Sequence, residues 1–422
     1  MSIFEQFESN VRFYCRSFPL VFERAKGAMM YSECGKAFID FFAGAGALNY
    51  GHNNDYIKNR IVDYIKNDGL THGLDMYTVA KREFMETFVE NVLKPRKLDY
   101  KIQFSGPTGT NAVESALKLA RKIKKRPEVF SFMGGFHGMS LGSLSATSNR
   151  QKREGAGVPL HNVTFMPFPF GFFESFDTLA YLEHVLSDSH SGIDKPAAII
   201  VETIQAEGGV VVASASWLQG LREICDKHDI LLICDEIQVG CGRTGTFFSF
   251  EQAGIVPDIV VMSKSISGFG IPMSLVLMKS ELDIWEPGEH NGTFRGHQLA
   301  FVGAAAALEY REMIDLEGAV ASKEQYVRSY LEEQVKPLHP GIKIRGAGLI
   351  WGIDLTEAVA PSAVEEIQQQ CFRQGLIVET AGRADSVLKI MPPLNIEMEL
   401  LEKGCLILRD AISSHMYAET VI

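Results

Sequence analysis

Two charged residues stand at the ends of two neighbouring apolar runs. Ile230-Leu231-Leu232-Ile233-Cys234 ends on Asp235-Glu236, and Ile259-Val260-Val261-Met262-Ser263 ends on Lys264. Short apolar runs of this kind, with a helical interval before the first, read as strands buried on both faces. In an open α/β sheet the carboxyl ends of such strands carry the chemistry. Here one strand end offers a carboxylate and the next a lysine. A lysine in that position is costly unless it is neutral, paired or used covalently.

Two further stretches could serve the same chemistry. Residues 100–104 read as a strand, Ser105-Gly106-Pro107-Thr108-Gly109-Thr110 as a turn, and 111–125 as a helix, with Asn111 and Glu114 spaced like a capping box. A strand, a Gly/Thr turn and a capped helix can hold a phosphate on free N–H groups, although a helix start with no ligand is the commoner case. The second stretch is Gly134-Gly135-Phe136-His137-Gly138, after a short strand. Its aromatics could stack on a flat ligand or simply pack. Lysine, aspartate, stacking ring and phosphate turn together match pyridoxal phosphate, which has an aldehyde, a pyridine nitrogen, a flat ring and a phosphate.

The elements that must position these groups alternate. Strand and helix patterns follow one another from 100 to 280, which means a mainly parallel sheet flanked by helices. Residues 25–40 look like a hairpin, 150–180 like a long irregular loop, and 320–422 shift to a smaller helix-and-strand unit. With 422 residues, 46% apolar and 22% charged, the chain can bury a large core. A net charge of −11 argues against nucleic acid or an anionic membrane as partner. Seven scattered cysteines form no metal motif and suggest a reducing cytoplasm, so no metal is expected. The N-terminus has no signal-peptide pattern, and no apolar run nears the ~20 residues that span a bilayer.

Read whole, the segment from Asp235 to Gly245, Asp-Glu-Ile-Gln-Val-Gly-Cys-Gly-Arg-Thr-Gly, resembles the signature of class III aminotransferases. Pro257-Asp258-Ile259 and Lys264 follow at that family's spacing. Gly109-Thr110-Asn111-Ala112, Phe136-His137-Gly138 and the stretch from Glu202 to Gly209 match further motifs in order. The resemblance implies the fold of type I pyridoxal-phosphate transferases: a large domain over 61–312, a smaller α+β domain over 313–422, and an N-terminal segment, 1–60, packing with the small domain and a partner subunit. It implies Lys264 as Schiff-base lysine, Asp235 as pyridinium partner, Gln238 on the phenolic oxygen and Phe136 stacked on the ring. His137 and Glu202 would complete the cofactor site, with Gly109 and Thr110 on the phosphate, joined by Thr293 of a neighbouring subunit in a homodimer or dimer of dimers.

A narrower match runs through Phe41-Phe42-Ala43-Gly44-Ala45-Gly46, Gly106-Pro107-Thr108-Gly109-Thr110-Asn111 and the stretch from Trp285 to Gly296. These are similar to the diaminobutyrate–2-oxoglutarate aminotransferases of ectoine biosynthesis. Such enzymes move the amino group of L-glutamate onto L-aspartate 4-semialdehyde. Related enzymes serve siderophore or diaminopropane pathways, or act on ornithine or GABA. One departure bears on substrate. The ornithine and GABA enzymes grip glutamate's α-carboxylate with an arginine before Pro-Pro-Leu, shielded by a glutamate. Glu207 matches that glutamate, but Lys389 takes the arginine's place, and the pair becomes the expected substrate-binding residues. Two other readings remain. A nucleotide-driven ATPase would use Asp235-Glu236 as a Walker B end, but Gly-Lys-Ser/Thr is missing at the turn after residue 105. A catalytically dead member of the fold would leave cofactor positions unfilled, and the matched ones are filled.

Overall fold

The computed structural model describes residues 2–419. Seven strands form the central sheet: β1 (Tyr100–Gly106), β2 (Val129–Phe132), β3 (Val163–Met166), β4 (Ala198–Val201), β5 (Leu231–Asp235), β6 (Ile259–Met262) and β7 (Ser274–Lys279). Their order is β1-β7-β6-β5-β4-β2-β3. β5 runs parallel to β4 and β6, while β7 is antiparallel to both β6 and β1. Every residue of β5 and β6 is buried, as unbroken apolar runs between two helical layers must be.

One layer contains helix Gly109–Lys124, which buries Ala112, Val113, Ala116, Leu117, Leu119 and Ala120 against β1, β6 and β7. Opposite, helix Gln298–Met313 packs on helices Asp55–Lys66 and Val79–Phe88 and reaches the turn after Lys264. No helix among the described residues is long and apolar enough to cross a membrane.

Two smaller sheets flank this unit. Lys343–Ala347, Ile350–Asp354, Val387–Ile390 and Glu379–Ala381 form an antiparallel sheet. Phe22–Lys26, Met29–Ser32 and Ala37–Asp40 form an antiparallel meander whose last strand pairs in parallel with Leu376–Ile377. The chain start is thereby bonded to its last third: Ile39 N–H donates to Gly375 O at 2.8 Å and Phe41 N–H to Ile377 O at 2.9 Å.

Three local expectations change. The hairpin at 25–40 is two successive hairpins, because a Lys26–Met29 corner precedes the turn at residues 33–36. The helix after β1 starts two residues earlier than expected. Thr108 is its N-cap, and Asn111 Oδ1 accepts from the Thr108 N–H (3.2 Å) and Oγ1 (2.9 Å). Glu114 is freed from capping and binds Ser140 Oγ and the Ser143 N–H instead. Residues 150–180 contain helix Arg150–Glu154, strand β3 and the 3-10 turn Gly171–Ser175. β3 is an edge strand with three half-buried residues, so its apolar pattern is weak.

Candidate active site

The carboxyl ends of β5 and β6 are neighbours, with Asp235 in register with Val261. Lys264 follows β6 with φ 52°, a left-handed conformation that costs a non-glycine residue about 1–3 kcal/mol and is retained where the surrounding fold enforces it. Its Nζ makes no hydrogen bond or ion pair among the described residues, and it lines a cavity of about 320 Å³. Burial lowers its pKa, helped by Lys389 and opposed by Glu207, Glu379 and Asp235.

Asp235 is held from two sides. Its Oδ2 lies 2.8 Å from His137 Nδ1, and its Oδ1 accepts the Ile237 N–H at 3.0 Å. Its neighbour Glu236 points to the opposite face and accepts from the Ser249 N–H and Oγ, which closes a 3-10 turn rather than the cavity. Glu202 Oε2 accepts the Phe136 N–H at 2.9 Å. Burial, then the negative charge of Asp235, raises the Glu202 pKa well above the usual range.

The start of helix Gly109–Lys124 closes one end of the cavity. Thr110 Oγ1 shares hydrogen bonds with Ser140 Oγ at 2.7 Å and Ser143 Oγ at 2.5 Å. A Cβ on Gly138 would lie 2.6 Å from both Thr110 Oγ1 and Ser143 Oγ, and φ there is 132°. Only glycine lets this turn approach the helix start so closely. Gln238 Nε2 donates to Ala45 O at 2.8 Å, which leaves Oε1 buried without a partner. Phe136 lines both this cavity and a wider mouth of about 1060 Å³.

Of the residues singled out from sequence, Gly109, Thr110, Phe136, His137, Glu202, Glu207, Asp235, Gln238 and Lys264 line the inner cavity. Thr293 does not; it stands exposed on the loop before helix Gln298–Met313. Lys389 is fully buried and lines neither the cavity nor its mouth. Its Nζ lies 2.7 Å from Glu207 Oε1 and 2.9 Å from Glu379 Oε2. Burial opposes its charge, but the two carboxylates outweigh burial and raise its pKa. Burial would also raise Glu207, yet Lys389 and Lys264 hold it at about 2.

Glu379 was not expected, nor was Tyr14, whose OH donates to Glu379 Oε1 at 3.3 Å. Glu379 and Lys389 sit directly opposite each other on paired antiparallel strands. Opposite charges in two short runs were a visible signal, but the register that joins them was not. Other basic residues are engaged elsewhere. Arg243 is fully buried and donates to Leu349 O, Pro392 O and Asn49 Oδ1, and burial pulls its pKa down to about 9. Arg295 pairs with Asp75.

Comparison with known proteins places this geometry. Residues 14–412 match the family described as aminotransferase class III. The chain belongs to the class III aminotransferases. It is 52% identical to a diaminobutyrate–2-oxoglutarate transaminase of Bordetella parapertussis, over 100% of this chain and 98% of that one. It is 53% identical to one from Halalkalibacterium halodurans, over 98% and 96%. In structure it resembles the ornithine aminotransferase of Toxoplasma gondii ME49, with TM-score 0.85 and 25% identity over 98% of this chain and 94% of that one. An S-selective transaminase from Arthrobacter superposes with TM-score 0.88 at 22% identity, covering 99% and 98%, and shares the fold. The mixed sheet with its parallel centre is that of type I pyridoxal-phosphate transferases.

Proposed function

We propose that this class III aminotransferase moves the amino group of L-glutamate to L-aspartate 4-semialdehyde, giving L-2,4-diaminobutyrate and 2-oxoglutarate, in the cytoplasm and for ectoine biosynthesis. Its cofactor is pyridoxal 5'-phosphate. The observation that carries this reading is the unpaired Lys264 amine across from Asp235, in a chain alike end to end to diaminobutyrate transaminases.

The residues present fit the cofactor. The helix start at Gly109 and Thr110 offers unpaired N–H groups to a phosphate. Gln238 Oε1 is a buried acceptor without a donor, and Gly138 keeps the cradle free of a side chain. When bound, pyridoxal phosphate supplies an aldehyde for amine exchange and a ring that draws electrons from the reacting carbon. Asp235, held by His137 and the Ile237 N–H, keeps the proton on the ring nitrogen. Lys264 anchors the cofactor through Nζ and carries the proton at the substrate's reacting carbon, a task that suits an amine whose pKa burial lowers. Phe136 would cover one ring face and exclude water, and Gln238 Oε1 would accept from the phenolic hydroxyl. Glu207 lines the substrate end of the cavity, and Lys389, buried behind it, pairs with Glu207 rather than with a substrate.

The working unit is a homodimer in which Thr293 reaches the other copy's phosphate. Supporting this, the loops carrying Leu74, Met76, Tyr77, Val79 and Phe294 expose these side chains together, joined by the His72–Phe294 ring contact. The expected boundary at residue 60 falls inside helix Asp55–Lys66, which packs on helix Gln298–Met313, so the large domain begins at 55; 313–419 is the small domain, and the segment before 55 packs on it and on the partner.

Steady-state rates with glutamate as donor and a panel of acceptors test the function. Aspartate semialdehyde should give the highest kcat/KM. A clear preference for glutamate semialdehyde or succinate semialdehyde would replace this reading with an ornithine or GABA aminotransferase.

A further inference from the structure

Glutamate and diaminobutyrate react at different kinds of carbon, yet they share one spacing. In glutamate the reacting carbon is C2, and the far carboxyl carbon is three bonds away at C5. In diaminobutyrate the reacting carbon is C4, and its carboxyl carbon is likewise three bonds away at C1. The same holds for 2-oxoglutarate and aspartate semialdehyde. One cation placed beyond the cofactor ring can therefore serve both half-reactions, and it need not move between them.

Lys389 cannot be that cation, since it is buried between Glu207 and Glu379. At the mouth of the cavity the basic residues are Arg150, Lys152 and Arg383. Arg150 pairs with Glu154, and its side chain is 92% exposed. Arg383 stacks on Phe170, 5.0 Å from the ring centre. The amine of Lys152 has no hydrogen bond or ion pair among the described residues. It stands 4.7 Å from the centre of the Phe136 ring, which lines the inner cavity as well as the mouth. The helix that carries it is fixed at its start by Asn149 Oδ1, which accepts the Lys152 N–H at 3.0 Å. Lys152 lines the mouth together with Glu207 and Asp385, and Glu207 lines the inner cavity as well.

We propose that Lys152 binds the carboxylate three bonds from the reacting carbon, the group common to all four substrates. Asp385 stands on the same rim. The far end of diaminobutyrate and of aspartate semialdehyde carries an ammonium beside that carboxylate, so an amine and a carboxylate on one rim match both charges. A cation–π contact with Phe136 keeps the Lys152 amine over the ring that the cofactor is to face. The inference rests on the aminotransferase reading above.

Lys152→Gln in the holoenzyme tests it. Donors come in pairs that differ by the carboxylate alone: glutamate with 2-aminobutyrate, and diaminobutyrate with 1,3-diaminopropane. Single-turnover kcat/KM should fall about 10- to 150-fold for glutamate and for diaminobutyrate, the loss of one charge-assisted hydrogen bond. It should stay within about twofold for the two donors that lack the carboxylate. Calorimetric Kd for glutarate should rise by a similar factor. Lys152→Arg should recover most of the loss, and Arg150→Gln should leave all four donors unchanged. Equal losses on paired donors, or no loss on any, would overturn the assignment. If the wild-type enzyme turns over neither glutamate nor diaminobutyrate, the aminotransferase reading itself fails, which is a different result from a wild-type enzyme whose Lys152→Gln variant is unaffected.

Discussion

Replacing Lys389 by Met removes one buried cation and leaves Glu207 and Glu379 facing each other. Glu207 titrates lower in the folded chain than unfolded, so its stabilising contribution is present above the ordinary 4.5 and is lost as the pH falls toward about 2. Its side chain is 25% exposed, so solvent screens it only in part. Breaking a buried ion pair from one side costs about 3–5 kcal/mol. In the variant the two carboxylates lack a cation, and burial and mutual repulsion raise their folded pKa values. Stability is then kept at low pH and lost as pH rises through those raised values. Unfolding free energies from urea titration should show a deficit of about 3–5 kcal/mol at pH 8 that narrows toward pH 5. Adding Glu379→Gln should recover part of it, because one negative charge is gone. Midpoints that differ by the same amount at every pH would refute the electrostatic account.

Lys264→Ala should lower transamination by several orders of magnitude, as loss of a covalent anchor and proton carrier requires, and should abolish borohydride-stable attachment of the cofactor; near-normal turnover would remove Lys264 from the mechanism. Asp235→Asn should retain the native circular dichroism spectrum yet lose most activity, because an amide cannot balance a charged ring nitrogen; an unchanged kcat would exclude that role. Thr293→Ala should weaken cofactor binding, and mixing it with Lys264→Ala should restore activity, because one site of the heterodimer then carries both lesions and the other neither. If subunit exchange is demonstrated and no activity returns, Thr293 does not act across the interface.

Much of this protein was legible in order along the chain. The runs before Asp235 and Lys264 are apolar without interruption, and only a strand covered on both faces accommodates that. The cavity-lining residues from Gly109 to Lys264 sit in segments whose glycines, caps and apolar runs are local signals, and local signals survive in sequence. What the sequence left open depends on partners far along the chain. Strand alternation says which residues share a face but not which strand lies opposite, so the Glu379–Lys389 register was invisible until the sheet formed. Glu207 and Lys389 meet across a separation of 182 residues, and only the packed fold decides that the lysine has two carboxylates and no route to the cavity. Lys152 lies on a five-residue helix inside a stretch that read as an irregular loop. Its contact with the Phe136 ring joins two segments that no local pattern pairs, and the edge strand that follows, with three half-buried residues, carries little pattern of its own. Local chemistry was therefore set by residue type and spacing, whereas the charge balance around Lys389 and the cation at the mouth were decided by tertiary contacts between segments whose pairing no local rule specifies.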